Sequence, residues 1–486
     1  MRYTFTGSLV AWFLITLCGC SGTAQPPAAR DEASVPSSSR HVAAPLVDSW
    51  DAVYLQGIKV GYSHTSAVRD ERDPNLVRWQ NDVRMAIERF GQRSEQSIQL
   101  VSWETPDHYL VRYELNFGGR ASSGQANDKV LGFFAVEQSL RDQPMTPGER
   151  RSVRSMMPLM NQPVVTTLIA KDYESTSVLS ESRRLLRIEQ ETALPVGKPQ
   201  QIVMWCDQTG EIIKARTDAL GQEVIRTTQE AALDTKNQGS FDLAARSSII
   251  TARPPRDPHT ASLARYQVTL ADGDPSKVFA TSAAQTIRPI AAQSAEITVR
   301  KLRNDLLSGV ELPADSEPTA ADRQPSSLIQ SNDARVVEFA RQASNFASDD
   351  WELARQLEAF VHRTISNKNL TQTFASAAEV AKSREGDCTE HAVLLAALCR
   401  ARELPARTAM GLVYVDSLPG FAFHMWTEVY IEDRWLGLDG TMGRGGIGAG
   451  HLKLLHSSLA GDSAMVEMLP VLEILGKLKI EWVVVE

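Results

Sequence analysis

The sequence predicts an α+β protein in which a β-rich, antiparallel region precedes a C-terminal domain of packed helices and strands. The first observation is a series of segments between about residues 49 and 234 in which apolar and polar residues alternate, the pattern of half-buried strands. The second is a run of strong helix formers at residues 393–398, followed by two alternating segments at residues 423–431 and 434–438. A helix followed by a hairpin indicates that both element types share the last domain.

The strands of the N-terminal region are predicted at residues 77–89, 94–103, 109–117, 201–206 and 211–216. Residues 147–160 are predicted to form one helical interruption. Long antiparallel strands imply a curved sheet with one buried face. Because no cluster of titratable residues stands out here, we interpret the region as a scaffold. A binding surface for lipid, peptide or glycan is the alternative.

Composition divides the 486 residues into six segments. We predict a signal peptide at residues 1–20, an unstructured tether at 21–45 and a β-rich domain at 46–256. A small β-leaning domain at 257–307, a linker at 308–330 and a mixed helix-and-strand domain at 331–486 follow. The last domain begins with two amphipathic helices, at residues 333–344 and 350–365.

The first twenty residues have the pattern of a targeting segment. The apolar run at residues 9–17 is too short to span a bilayer and is typical of a signal peptide. It ends Leu17-Cys18-Gly19-Cys20, which resembles a bacterial lipoprotein cleavage box with Cys20 as the lipidated residue. We therefore expect a cell-envelope protein that is lipid-anchored to a membrane and faces the periplasm or the exterior. A signal peptide that is cleaved to release the chain is the alternative.

Charge and cysteine content exclude some classes of function. A net charge of −8 argues against nucleic-acid binding, which needs a basic surface. If Cys18 is removed and Cys20 is lipidated, Cys206, Cys388 and Cys399 remain, and an odd number gives no disulfide framework. The sequence contains no calcium-loop pattern of spaced Asp and Asn residues ending in Glu. We predict no cofactor, and we expect Cys206 and Cys399 to be structural.

A cysteine opens the apolar run of the last domain. Cys388 follows Gly386-Asp387, so we predict that it lies at or near a helix N-terminus. There, unpaired backbone N–H groups and the helix dipole favour a thiolate over a thiol. An inert core cysteine is the alternative.

The hairpin after this helix brings a histidine and a carboxylate within reach of one another. If a two-residue turn pairs Ile431 with Arg434, His424 and Asp439 lie diagonally on the same face of the sheet, whereas a one-residue slip would separate them. A thiol at a helix start, an imidazole on a strand and a carboxylate on the next strand are the parts of a Cys-His-Asp nucleophile system.

Other interpretations of these residues stay open. His424 has the alternative of a structural histidine, and Asp439 that of a turn residue. His391 is a rival base, but it shares the helix of Cys388 and has no orienting acid in obvious register. A zinc site formed by Cys388, His391, His424 and Asp439 matches no known ligand spacing. Residues 443–448 fit the pattern G-x-G-x-x-G, but they follow a hairpin, so we expect a flexible loop beside the site and not a dinucleotide-binding turn.

The residues of this region resemble a known family. GDCTEHA at residues 386–392 and HMWTEVYIEDRWLGLDGT at residues 424–441 resemble the catalytic core of the transglutaminase-like superfamily of papain-like thiol enzymes. The resemblance begins at about Ser331 and covers roughly the last third of the chain. It implies that Cys388 is the nucleophile, His424 the base and Asp439 the orienting carboxylate.

The resemblance also implies an activity. We expect a thiol enzyme that acts on amide bonds of a protein or peptide substrate through an acyl-enzyme, as a protease or amidase or as an acyltransferase to an amine. Thr389 directly follows the cysteine, where animal transglutaminases usually have Trp, and this departure weakens the case for protein crosslinking. A non-catalytic, envelope-associated module that binds protein or peptide on the same fold is the alternative.

Overall fold

The computed structural model describes residues 45–485 with gaps at 90–91, 118–119, 127, 158–159, 195–197, 237, 243–245, 247, 252–256, 303–313, 345, 368–374, 419, 462–470, 472–473 and 475. The predicted signal peptide with Cys20, and the predicted tether up to residue 44, lie outside the described residues. The chain forms two compact units, which divide between Phe241 and Asp242. None of the helices in the described ranges is long and apolar enough to cross a membrane.

The first unit contains a twelve-stranded sheet. Its strands are β1 (Val47–Leu55), β2 (Ile58–Arg69), β3 (Val77–Arg89), β4 (Gln92–Glu104), β5 (Leu110–Phe117), β6 (Arg120–Gln125), β7 (Arg150–Met157), β8 (Gln162–Val178), β9 (Glu181–Thr192), β10 (Gln200–Cys206), β11 (Ile212–Arg216) and β12 (Gln222–Thr227). Two meanders of six strands, β6 to β1 and β12 to β7, meet where β1 pairs antiparallel with β12. Helix α1 (Ala135–Asp142) precedes β7, and α2 (Gln229–Leu233) follows β12. The β-rich antiparallel region predicted from the sequence is confirmed.

One prediction for this unit is wrong. The described part of residues 147–160 contains no helix, because it contains β7, which pairs with β8. Gly148, with a φ of 83°, turns the chain just before the strand. Val153 and Ser155 are buried while Ser152 and Arg154 are exposed, which is the two-residue period of a strand.

The second unit combines helices with two sheets, as the α+β prediction requires. Its helices are α3 (Ala334–Ala343), α4 (Asp350–Thr364), α5 (Ala377–Ser383) and α6 (Cys388–Ala401). Its strands are β13 (Ile249–Ile250), β14 (Leu263–Leu270), β15 (Gln285–Ala291), β16 (Ser294–Arg300), β17 (Ala406–Val415), β18 (Gly420–Ile431), β19 (Arg434–Leu438), β20 (His451–Ser457) and β21 (Leu478–Val485). One sheet has the order β13-β18-β17-β20, with β19 also paired to β18, and the other has the order β15-β16-β14-β21.

The predicted domain boundaries differ from those of the structure. The described part of the predicted small domain at residues 257–307, which runs to residue 302, is not separate, because β14 pairs with β21 and belongs to the unit that starts at Asp242. The predicted linker at 308–330 is packed where the structure describes it. Leu328 and Ile329 are buried in the core of the second unit, and the Asp315 carboxylate accepts a hydrogen bond from the Trp435 N–H at 2.9 Å.

Helix α6 forms the centre of the second unit. It is buried on all sides, and every residue from Cys388 to Arg400 is buried, including the polar Glu390, His391 and Arg400. It packs against β17 and β18 and against α3, α4 and α5. Most of α6 belongs to one apolar cluster with these helices, whereas Cys388 and Ala392 belong to a second cluster with residues of both sheets. The N-terminus of α6 is therefore held against the strands that carry the other candidate residues.

Candidate active site

Cys388 is the first residue of α6, and only 1% of its surface is exposed. The Asp387 side chain caps the helix by accepting a hydrogen bond from the Thr389 N–H at 2.9 Å, and the Glu390 side chain accepts one from the Asp387 N–H at 3.0 Å. Gly386 has a φ of 148°, and a Cβ there would lie 2.2 Å from the Glu390 side chain, so the position requires glycine. Gly-Asp-Cys thus places a thiol at the positive end of a helix dipole, which favours the thiolate.

His424 lies on β18 and is buried. Its Nε2 lies 2.8 Å from Oδ2 of Asp439, and its ring is also a hydrogen-bond partner of the Cys388 thiol. Because Nε2 is engaged by Asp439, Nδ1 is the nitrogen that serves Cys388. Burial lowers the pKa of His424, but the charge and hydrogen bond of Asp439, together with Cys388, raise that pKa to about 10. The imidazole is therefore held protonated beside the thiol, where its charge stabilises a thiolate.

The hairpin of β18 and β19 has the predicted register. Ile431 pairs with Arg434, and the two turn residues, Glu432 and Asp433, have positive φ angles of 49° and 61°. Positive φ at both positions is the geometry of a type I′ turn, which matches the twist of the flanking strands. Asp439 directly follows β19, so this register delivers its carboxylate to the histidine of β18.

Hydrogen bonds hold both oxygens of the Asp439 carboxylate. Oδ1 accepts from the N–H groups of Thr441 at 2.9 Å and Met442 at 3.2 Å. Oδ2 lies 2.8 Å from His424 Nε2 and 3.1 Å from His451 Nε2. Burial raises the pKa of Asp439, but the charge and hydrogen bond of His424, followed by those of His451, lower that pKa well below its ordinary value. The carboxylate is therefore ionised although it is buried.

Glu358, on α4, supports Asp439 and was not predicted. Its Oε1 accepts a hydrogen bond from the Asp439 N–H at 2.9 Å, and its Oε2 accepts one from the Gly446 N–H at 3.0 Å. The side chain is fully buried, and burial, with a further contribution from the Asp439 charge, raises its pKa to about 7. The one signal in the sequence is an acidic residue between the buried Leu357 and Val361 of an amphipathic helix.

The glycine-rich loop at residues 443–448, which the sequence predicts to be flexible, is packed against α4. Gly446 donates to Glu358, and a Cβ on Gly443 would lie 2.5 Å from the His362 side chain. Gly443, Gly445 and Gly446 have φ angles of 62°, 72° and 106°. Close packing and left-handed backbone account for the glycines without a phosphate ligand.

A second histidine that was not predicted contacts the same carboxylate. His451 begins β20, is buried, and packs its ring edge-on against Trp426 at a centroid distance of 5.2 Å. Burial lowers the pKa of His451, and the opposing effect of Asp439 does not restore it. A protonated and a neutral imidazole therefore share one oxygen of Asp439. No local pattern identifies His451, because the glycine-rich loop separates it from Asp439.

The rival residues are engaged elsewhere. Nδ1 of His391 lies 2.6 Å from the carbonyl oxygen of Asp387, so this nitrogen donates to the backbone at the start of its own helix. Cys399 is fully buried, and burial raises the pKa of its thiol to about 12. Burial also raises the pKa of the Cys206 thiol. Both of these thiols are therefore neutral near pH 7, whereas a catalytic cysteine reacts as the thiolate.

His424, Asp439 and His451 are also the one group of three potential metal ligands found within the described ranges, with ligand atoms within 4.8 Å of one another. This set differs from the zinc set considered from the sequence, which contained Cys388 and His391 in place of His451. The distances from the two histidines to Asp439 Oδ2, 2.8 and 3.1 Å, are those of N–H···O hydrogen bonds. Hydrogen bonding therefore accounts for the arrangement.

Parts of the chain are similar to known proteins. One similar solved structure is "a Putative Cysteine Protease from Cytophaga hutchinsonii", with 15% identity over 46% of this chain and 81% of that chain and a TM-score of 0.28. The periplasmic domain of TgpA from Pseudomonas aeruginosa has 17% identity over 41% of this chain and 76% of that chain, with a TM-score of 0.22. A β-barrel-like protein of a domain of unknown function from Brucella abortus has 9% identity over 38% of this chain and 98% of that chain, with a TM-score of 0.28. No curated protein sequence matches the chain significantly. Residues 337–440, which include Cys388, His424 and Asp439, match the model of the Transglutaminase-like superfamily. The second unit of this chain therefore contains a transglutaminase-like domain.

Proposed function

We propose that the second unit is a thiol enzyme that acts on amide bonds of a protein or peptide substrate through Cys388, His424 and Asp439. The observation that carries this proposal is the continuous hydrogen-bonded series from thiol to imidazole to carboxylate, with the thiol at a helix N-terminus. The match to the transglutaminase-like superfamily supports the same class of enzyme. These parts serve one chemistry, the transfer of an acyl group through a thioester.

The first step forms the acyl-enzyme. The Cys388 thiolate attacks the amide carbonyl carbon, and the backbone N–H of Cys388, at the positive end of α6, is the candidate donor to the oxyanion. The tetrahedral intermediate then collapses, so that the C–N bond breaks while the C–S bond remains. His424 gives its proton to the leaving amine, and Asp439 fixes the orientation of the imidazole.

The second step releases the acyl group. Water or an amine attacks the thioester carbon, His424 accepts the proton of the nucleophile, and the C–S bond breaks to regenerate the thiolate. Water makes the protein a protease or amidase, and an amine makes it an acyltransferase. Thr389 takes the place that Trp has in animal transglutaminases, which favours hydrolysis over protein crosslinking.

Alkylation with iodoacetamide tests the thiol. At about pH 6.5 an ordinary thiol of pKa about 8.5 is roughly 1% thiolate, so an ion-paired Cys388 should react at least about tenfold faster than an unperturbed cysteine. Cys399 is the internal control, because burial raises its pKa. Mass spectrometry of the digested protein gives the rate at each site. Equal, slow labelling of both cysteines would favour a non-catalytic binding module instead.

A series of substitutions tests the roles. On a small thioester substrate, Cys388→Ala should abolish turnover, because no second thiol contacts His424 in the described part of the unit. His424→Ala should be nearly as damaging, and Asp439→Asn should retain the fold and some thiol reactivity while slowing turnover less. His391→Ala is the matched control on α6. If His391→Ala were much worse than His424→Ala while both stayed folded, the base would be misassigned.

We also propose that the chain is lipid-anchored at the cell envelope through Cys20. This rests on the box Leu17-Cys18-Gly19-Cys20 and on the Ser-, Ala- and Pro-rich segment that follows it. An anchored enzyme that faces the periplasm or the exterior would meet proteins and peptides of the envelope as substrates.

A further inference from the structure

His451 has no role in the two steps above, although it contacts their orienting carboxylate. Its Nε2 lies 3.1 Å from Asp439 Oδ2, the oxygen that also lies 2.8 Å from His424 Nε2. An ionised carboxylate only accepts hydrogen bonds, so Nε2 of His451 carries a proton. The ring is 3% exposed, so water does not compete for this contact.

The groups around His451 keep it neutral. It faces Asp439, His424 at a ring-centroid distance of 5.9 Å, His259 at 5.8 Å, and the cationic Arg444. Burial and the positive charges of His424 and Arg444 oppose a second proton on His451. Its Nδ1 is buried and makes no hydrogen bond within the part of the chain that the structure describes, which suits a lone pair better than an N–H. The single proton of His451 is therefore directed at Asp439.

As a hydrogen-bond donor to Asp439, His451 differs from His424 in one respect. His424 gives up and recovers its proton during every acyl transfer, so its electrostatic support of Asp439 changes through the cycle. The proton of His451 stays in place on the same oxygen throughout. On the other oxygen, the backbone N–H groups of Thr441 and Met442 are equally constant. A hydrogen bond to the charged form of an acid favours that form, whereas burial disfavours it.

We propose that His451 is a positioning residue that keeps Asp439 ionised while the proton moves between Cys388, His424 and the substrate. The inference rests on the proposed function and extends the triad to a group of four residues. Without the His451 N–H, Asp439 takes up a proton at a higher pH and no longer holds a protonated His424. The pH below which Cys388 loses its reactivity, which we call its acid limit, then moves upward.

Two substitutions separate the hydrogen bond from packing. In His451→Gln the amide nitrogen stands at the same distance along the side chain as Nε2 and donates to Asp439, whereas His451→Phe keeps the ring and loses the donor. His456→Phe is the matched control, since His456 is exposed on the same strand. The probe is iodoacetamide, and the rate of Cys388 alkylation is measured from about pH 4 to pH 9 on the full chain.

We expect His451→Phe to move the acid limit of alkylation upward by about one to two pH units, the shift that the loss of one charge-assisted hydrogen bond produces. His451→Gln should restore the wild-type profile, and His456→Phe should match it. Near-UV circular dichroism establishes that each variant is folded. If His451→Phe leaves the acid limit in place, or if His451→Gln shifts it equally, the inference is wrong. A wild-type Cys388 with no reactivity below about pH 8.5 would instead overturn the proposed function.

Discussion

Glu358 makes the stability of the second unit depend on pH. Burial, together with the charge of Asp439, raises its pKa from the ordinary 4.5 to about 7. Below about pH 4.5 the carboxyl is protonated in both the folded and the unfolded chain. Between that pH and about pH 7 the unfolded chain releases the proton and the folded chain retains it, so the free energy of unfolding falls as pH rises. The loss is complete once the folded form also ionises, and it amounts to about 3 kcal/mol.

Glu358→Gln removes this dependence. A glutamine is neutral at every pH, and its carbonyl oxygen still accepts the Asp439 N–H that Oε1 now accepts. Between pH 5 and pH 8 the wild type should therefore lose about 2.5 kcal/mol more stability than the variant. Urea titrations at the two pH values, followed by hydrogen exchange in peptides of α6, report on the second unit alone.

A matched control lies in the first unit. Burial raises the pKa of Glu104 to about 7 as well, so Glu104→Gln should flatten the pH dependence in peptides of the first unit and leave α6 unchanged. The reasoning is refuted if the wild type and Glu358→Gln lose equal stability between pH 5 and pH 8 in α6. A loss of folding in Glu358→Gln at both pH values would show instead that both carboxylate oxygens are needed for the Asp439 and Gly446 contacts.

Two further predictions concern the limits of the chain. A truncated chain that starts at Asp242 should show a cooperative thermal transition, whereas one that starts at Ser327 should not, because it lacks the strands that pair with β21 and the buried ring of Tyr266. Circular dichroism on heating compares them, and a cooperative transition in the shorter chain would mean that the smaller sheet is dispensable. Cys20→Ser should release the protein from membranes or block its processing. Membrane fractionation and intact mass are the measurements, and an unchanged result in both would contradict the lipid anchor.

The local parts of the site were predictable from the sequence. Gly386 and Asp387 before an apolar run identify the start of α6, and Cys388 is its first residue. The alternation on both sides of a two-residue turn gives the register that brings His424 to Asp439. Each of these signals lies within one helix or one hairpin, where periodicity and turn chemistry decide the geometry.

The supporting residues come from packing between elements. Glu358 lies 81 residues before Asp439, and His451 lies beyond the glycine-rich loop. Periodicity shows which face of α4 is buried but not which strand that face meets. The same limit explains the error at residues 147–160, where pairing with β8 determines the conformation of a segment whose Arg and Met residues also suit a helix. It also explains why residues 257–307 looked independent, since their partner β21 lies far along the chain.

The pairing of β14 with β21 constrains the order in which the second unit can fold during synthesis. The ribosome makes β14 about two hundred residues before β21. The edge of β14 that pairs with β21 therefore stays unpaired while α6 and the whole candidate site are translated. An open strand edge is a template for pairing with other chains until it is covered. The smaller sheet therefore cannot close until β21 has been made, and a chain that ended before β21 would carry the candidate site together with an exposed strand edge.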